Sequence, residues 1–143
     1  MSKSNVFEND LLKLIFNATP IAGLADNAAS SPVTSLFLAL HTADPGEAGG
    51  QTTSEISYTG YTRLAVLRTG AGWTVAANSV SPVSDVLFPE MTGGAGGTAT
   101  HASIGTLVGG AGKVLYKGAL TPAITVALGV APRIKNTSAI TED

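Results

Sequence analysis

The chain has 143 residues, 44% of them apolar and 13% charged, with a formal net charge of −2 and no cysteine. That length suits one domain able to bury roughly two-thirds of its unfolded surface, and the charged share is about half the usual one. Disulfides and thiolate metal centres are excluded, and the basic residues Lys3, Lys13, Arg63, Arg68, Lys113, Lys117, Arg133 and Lys135 are too scattered for the basic stripe that nucleic-acid binding requires.

In chain order, "SNVFENDLLKLIFNATP" predicts the one helix. Phe7, Leu11, Leu14, Ile15 and Ala18 recur on one helical face, Asn5 and Glu8 fit a capping box, and Pro20 supports a stop soon after Asn17. Glu8 and Asp10 interrupt the apolar residues that a secretory signal would need. The stretch "IAGLADNAASSPVT" is small, polar and turn-rich, and reads as a connector.

Strand character follows. "SLFLALHT" (35–42) is an apolar run of buried-strand length, and "YTRLAVLRT" (61–69) alternates. "GWTVAANSV", "SDVLFPEM", "TATHASIGTL", "GKVLYKGAL", "PAITVAL", "PRIK" and "SAIT" are further short candidates, separated by glycines and prolines such as Pro82, Pro89, Pro122 and Pro132. Short strands at this spacing predict a mainly β fold, an antiparallel β-sandwich or barrel-like domain with one N-terminal α-helix. The expected organisation is a single domain over 1–143, with 1–20 the N-terminal segment and helix and 33–143 the β-domain. "AITVALGVAP", the most apolar run, falls short of the roughly 18 residues of a membrane span, so no membrane partner is expected.

Candidate chemistry is sparse. His41 and His101 lie in predicted strands, and only Asp44 stands near His41, short of the three protein ligands usual at catalytic zinc. Both read as partly buried, hydrogen-bonded histidines, with no metal and no cofactor expected. "HASIG" carries Ser103 but places His101 where a nucleophile elbow needs glycine, so Ser103 reads as a strand serine. "GGAGKV" lacks the first Gly and the Ser/Thr of a phosphate loop, and "GGAGG" lacks the dinucleotide spacing; both read as loops needing positive backbone angles. Glu47, Glu55, Asp85 and Glu90 fall in loops or near strand ends with no pocket signal, and a small hydrolase is the weakest reading. Tyr58, Tyr61 and Trp73 offer a stacking surface or carbohydrate contact, with Trp73 better read as a core or edge anchor.

"LFLALHTADPGEAG", "TSEISYTGYTRLAV", "GWTV", "HASIG", "GKVLYKGALT" and the terminal "ITED" together resemble a family of small bacteriophage virion proteins. Its members carry tail-fibre labels, and some resemble capsid decoration, or cement, proteins. The resemblance implies a virion protein made in the bacterial cytoplasm, with no active site. Because the chain shows neither shaft repeats nor coiled-coil heptads, decoration of the capsid surface is expected ahead of a tail or tail-fibre role in host attachment. The expected partners are the major capsid protein and copies of the chain itself, as trimers or dimers. Two segments are expected to touch them. One is the start, Ser2, Lys3, Ser4 and Asn5. The other is the loop after 41, where Asp44, Pro45, Gly46, Gly49, Gly50, Gln51, Thr52 and Thr53 offer a turn, close backbone approach and neutral hydrogen-bond groups.

Overall fold

The computed structural model describes residues 3–21, 25 and 32–142. The chain runs through α1 (Asn5–Asn17), β1 (Ser35–His41), β2 (Leu64–Leu67), β3 (Trp73–Ala76), β4 (Ser79–Pro82), β5 (Val86–Leu87), β6 (Gly97–Gly105), β7 (Val114–Val126), β8 (Arg133–Ile134) and β9 (Ile140–Thr141). It is mainly β with one helix near the N-terminus, and its sheets are antiparallel. The orders β2-β1-β6-β7, β3-β4-β9 and β5-β8 leave free edges, so no barrel closes among the described residues. The chain divides into two compact units, each assembled from separated segments: Met1–Ser35, Val66–Asp85 and Lys135–Asp143 form the first, Leu36–Ala65 and Val86–Ile134 the second.

The first unit packs α1 against β3 and β4. Its buried stripe is Glu8, Leu12 and Phe16, not the Phe7 face expected from spacing; Phe7 is 39% exposed. Leucine, isoleucine and phenylalanine at 11, 12, 14, 15 and 16 make the apolar face wide, and Trp73 selects the rotation, meeting Phe16 edge-on at 4.8 Å. The N-cap is also one residue earlier than the capping box implied. Ser4 is extended and accepts the Phe7 N–H at 3.4 Å, Asn5 is already helical, and Glu8 is buried. At the other end the Arg68 guanidinium donates to the Leu14 and Ile15 carbonyls, which the helix leaves without intrahelical partners.

"GWTVAANSV" is not one strand but a hairpin. β3 and β4 pair from Trp73↔Pro82 to Ala76↔Ser79, and Ala77, at φ 52°, starts the two-residue turn. The turn is held from outside, because Asn9 donates to the Ala77 carbonyl and Asn78 exchanges two hydrogen bonds with Glu142 at the end of β9. Most of the connector 21–34 lies outside the described residues.

In the second unit β1, from Leu36 onward, lies inside the four-stranded sheet. Leu36, Leu38, Ala39, Leu40 and His41 are all buried, which is why the run reads as continuously apolar. It pairs with β6 from Phe37↔Gly105 to His41↔His101. β7 joins the two strands expected on either side of Pro122 into one. An edge strand tolerates a residue without an N–H, and residues 120–123 bulge opposite Thr100. A second antiparallel ribbon runs along β5 and β8, continued by the Phe88 N–H to the Pro132 carbonyl and the Met91 N–H to the Val130 carbonyl.

Ala18 holds φ 54° after the helix, a conformation that strains any residue with a Cβ. Ala18→Gly is expected to raise the unfolding free energy by about 0.5–1 kcal/mol, since relief of that strain outweighs the added freedom of glycine in the unfolded chain. Urea titration of the two proteins checks this; an unchanged or lower midpoint contradicts it.

Candidate interaction surface

Residues 42–55 leave β1 and return beside it. The Thr42 N–H bonds the Ser54 carbonyl at 2.8 Å and the Ile56 N–H bonds the Leu40 carbonyl at 2.9 Å, so the loop closes on itself at its base. Asp44 caps its first turn, accepting the Gly46 N–H at 2.8 Å, and Gly46 holds φ 75°. Gly49 lies so close to the Pro45 carbonyl that a Cβ there would collide with it. A mobile arm needs none of these constraints, and the loop is built.

Two buried polar side chains hold it from below. His41 is fully buried, with Nδ1 2.8 Å from the Thr53 carbonyl and Nε2 2.7 Å from the Ser103 hydroxyl. A carbonyl only accepts, so Nδ1 carries the proton and Nε2 accepts from Ser103. This is the hydrogen-bond order of a serine–histidine pair, but Ser103 is 2% exposed in the middle of β6, and the pair serves as a buttress under the loop. Burial holds the His41 pKa below its ordinary value, opposed by the Thr53 carbonyl and by Glu55, and assisted by Arg63 and His101.

Gln51 is the second anchor. Its Oε1 accepts the Leu107 N–H at 2.9 Å, its own N–H reaches the Gly112 carbonyl at 2.9 Å, and its Nε2 lies 3.5 Å from the Phe37 carbonyl. Gly105 and Gly112 are required here, because a Cβ at either would overlap the Gln51 side chain. Gly112, which reads from sequence as a turn former, and Gly105 in β6 make room for a buried amide.

Arg63 ties the loops together. Its side chain is 2% exposed and takes Glu55 in a two-pronged ion pair, Nε to Oε1 and Nη2 to Oε2, each at 2.7 Å. The remaining donors reach the carbonyls of Leu107 at 3.0 Å and Gly110 at 2.9 Å. Tyr61 completes the set, donating to Glu55 Oε1 at 3.0 Å while accepting the Leu40 N–H at 3.1 Å. Burial raises its phenol pKa far above the usual range, so it stays a donor. Tyr61 stacks on Phe88 and meets Tyr58 edge-on, and Tyr58 is 7% exposed with its hydroxyl on the Pro89 carbonyl. The two tyrosines therefore belong to the interior network rather than to an open stacking surface.

What remains on the outside is narrower than the sequence suggested. Asp44 and Glu47 both pair with Lys117 of β7 at 3.0 Å. Hydrogen bonds from the Gly46 N–H and then from Lys117 lower the Asp44 pKa, and the two carboxylates raise that of Lys117. Between loop and strand lies a shallow groove of ≈ 270 Å³ lined by Gly46, Glu47, Gly49 and Val114, Leu115, Tyr116 and Lys117. Thr52, Thr53 and Ser54 face solvent; Pro45 and Gln51 are buried, and Gly50 bridges to Lys113. At the chain start, Ser2 lies outside the described residues, Lys3 pairs with Glu142 at 3.0 Å, Ser4 caps α1 and Asn5 opens it. No group of three or more histidines, cysteines and carboxylates that would suit a metal occurs among the described residues. The Glu55–Tyr61–Arg63 network escaped sequence reasoning, although the spacing "E-x5-Y-x-R" in a weakly charged chain marks the one place where an arginine follows closely on a glutamate and a tyrosine.

The sequence model of the family described as Podophage GP4 fiber I protein gp80 matches residues 2–141. None of the curated proteins matches the chain.

Arg63→Met is expected to lower the unfolding free energy by roughly 3–5 kcal/mol, because it strands Glu55 and two loop carbonyls without their donor. The double change Arg63→Met with Glu55→Met should recover part of the loss; urea denaturation of the set shows whether it does. His41 generates a pH dependence. Both states are neutral above its unfolded value of 6.5. Below it the unfolded chain takes up a proton that the folded chain refuses. Stability therefore falls as pH drops from that value toward the lowered folded one, with a slope of at most about 1.4 kcal/mol per pH unit. Subtracting the profile of His41→Gln, measured by urea titration from about pH 7.5 to about pH 5.5, should isolate that slope; parallel profiles would exclude it.

Proposed function

The chain belongs to the Podophage GP4 fiber I protein gp80 family, and from that membership we propose that it is a component of a phage fibre, acting through contacts with neighbouring virion proteins. The match over residues 2–141 carries the reading. It makes the protein a phage structural protein, and the family's description favours a fibre over the capsid decoration that the sequence alone put first. That order rested on the missing shaft repeats and heptads. A fibre also needs compact modules that join or end a shaft, and a chain whose one described helix has 13 residues suits such a place.

The geometry supports assembly over turnover as the mode of action. The hydrogen-bonded serine and histidine are both sealed under the loop, while the outer face offers Thr52, Thr53 and Ser54 on a fixed backbone that also carries the Asp44 and Glu47 ion pairs to Lys117. Rigid contacts lose little conformational entropy on docking, and many weak ones act together when copies are linked in a particle. Asp44, Thr52 and Thr53 are the exposed loop positions proposed to touch a neighbour, with Gly46 half-buried at the turn beside them. The major capsid protein remains the partner under the decoration reading, and copies of the chain itself under either.

Gold-labelled antibody against the protein on intact virions separates the two locations. Label on the fibres is the expected result, with soluble protein competing for adsorption to host cells if the contact is with the host. Label confined to the head overturns the fibre reading and restores decoration.

A further inference from the structure

β7 ends the order β2-β1-β6-β7, so among the described residues no strand pairs with its outer edge. Such an edge is a template for another chain, and "VLYK" (114–117), with a β-branched and an aromatic residue, has a composition suited to pairing. Past Ala119 the bulge at 120–123 and Pro122 spoil the edge. Residues 114–117 have only a one-residue irregularity at Leu115, where Val114 and Tyr116 face Gly105 and Ile104. The 42–55 loop stands over that half of the strand. The groove between loop and strand is lined by all four residues 114–117, and because successive side chains point to opposite faces, the wall they share is the backbone edge. β6 occupies the inner edge, so the groove follows the outer one. Gly46, Glu47 and Gly49 form its facing wall. The Gly50↔Lys113 bridge bounds it at one end, and the ion pairs of Lys117 with Asp44 and Glu47 bound it at the other.

We propose that this loop is an edge guard and that Lys117 is its strap, together keeping the outer edge of 114–117 from adding a strand of another molecule. The two halves of the loop are held differently. Gln51 and His41 fix the returning half from below, through the Leu107 N–H and the Thr53 carbonyl. The outgoing half is tied to the strand by Lys117, which holds a carboxylate on either side of the Pro45–Gly46 turn, each at 3.0 Å. That turn is set before the strap closes, because Asp44 accepts the Gly46 N–H and Gly49 packs on the Pro45 carbonyl. Exposed ion pairs are individually weak. Closing a loop whose backbone is already ordered asks little of them, since little conformational entropy is lost. The strand thus has two defences: a bulge and a proline in its second half, and a strapped loop over the half that has no proline.

The guard belongs to the chain itself and not to its place on the virion, so a head-only label leaves it standing and its failure leaves the fibre reading standing. Sedimentation velocity over a concentration series compares the purified full chain with Lys117→Gln, with Asp44→Asn combined with Glu47→Gln, and with Lys113→Gln, which removes a nearby lysine outside the strap. Both strap variants are expected to associate about fivefold more strongly than the natural chain, with the urea midpoint unchanged. They alter the net charge in opposite senses, so an effect of charge alone would drive them apart. Lys113→Gln should sediment as the natural chain does. Hydrogen exchange of the associated strap variants then locates the new contact, with added protection expected within 114–117. Strap variants that sediment as the natural chain does, a Lys113→Gln protein that associates as they do, or added protection that spares 114–117 overturns the proposal. Should a strap variant lose stability, the exchanged set Lys117→Glu with Asp44→Lys and Glu47→Lys decides the matter: it should return to the natural sedimentation, and continued association contradicts the guard.

Discussion

The second unit depends on one buried guanidinium. Arg63 is surrounded by protein, and its hydrogen bonds join two other parts of the chain: Glu55 at the return of the 42–55 loop, and Leu107 and Gly110 in the loop after β6. A buried arginine must have its donors matched, so the ion pair constrains as much as it attracts. These two loops are thereby fixed relative to one sheet. Tyr61 and Gln51 extend the same arrangement to β1 and to Gly105.

His41 and Ser103 illustrate how chemistry-bearing residues serve structure. Their spacing matches that of a nucleophile and its base, yet the proton order is dictated by the Thr53 carbonyl, and the pair lies where β1 and β6 are paired. A neutral histidine satisfies one carbonyl and one hydroxyl in a place where an apolar residue would leave both without partners. The same substitution of buried polar contacts for apolar packing recurs at Gln51. In a chain with so much Gly, Ala, Ser and Thr, side-chain volume is scarce, and hydrogen bonds to loop backbone do the positioning that larger apolar residues do elsewhere.

For a phage structural protein these features have a common use. A particle subunit must offer a defined outer surface without joining further copies indefinitely through its sheet edges. The longest strand, β7, lies at an edge and carries a bulge, a proline and a lysine already paired with Asp44 and Glu47. The outward loops, by contrast, are fixed from beneath by Arg63, Gln51 and His41.

What the sequence by itself determined was local. The apolar run at 35–41, the turn chemistry of the glycines, and a helix ended near Asn17 follow from the side chains of neighbouring residues, and so does the antiparallel, mainly β class. The resemblance carried by its motifs reached the phage virion, and the family match agrees at that level. Tertiary structure decided the rest. The helix rotation depended on Trp73, the hairpin at Ala77 on Asn9 and Glu142, the continuity of β7 through Pro122 on its edge position, and the rigidity of the 42–55 loop on Arg63, Gln51 and His41. Each of these joins residues far apart in the chain. Periodicity and turn propensity report only on near neighbours, so a buried arginine and an exposed one look the same until the partners of their donors are known.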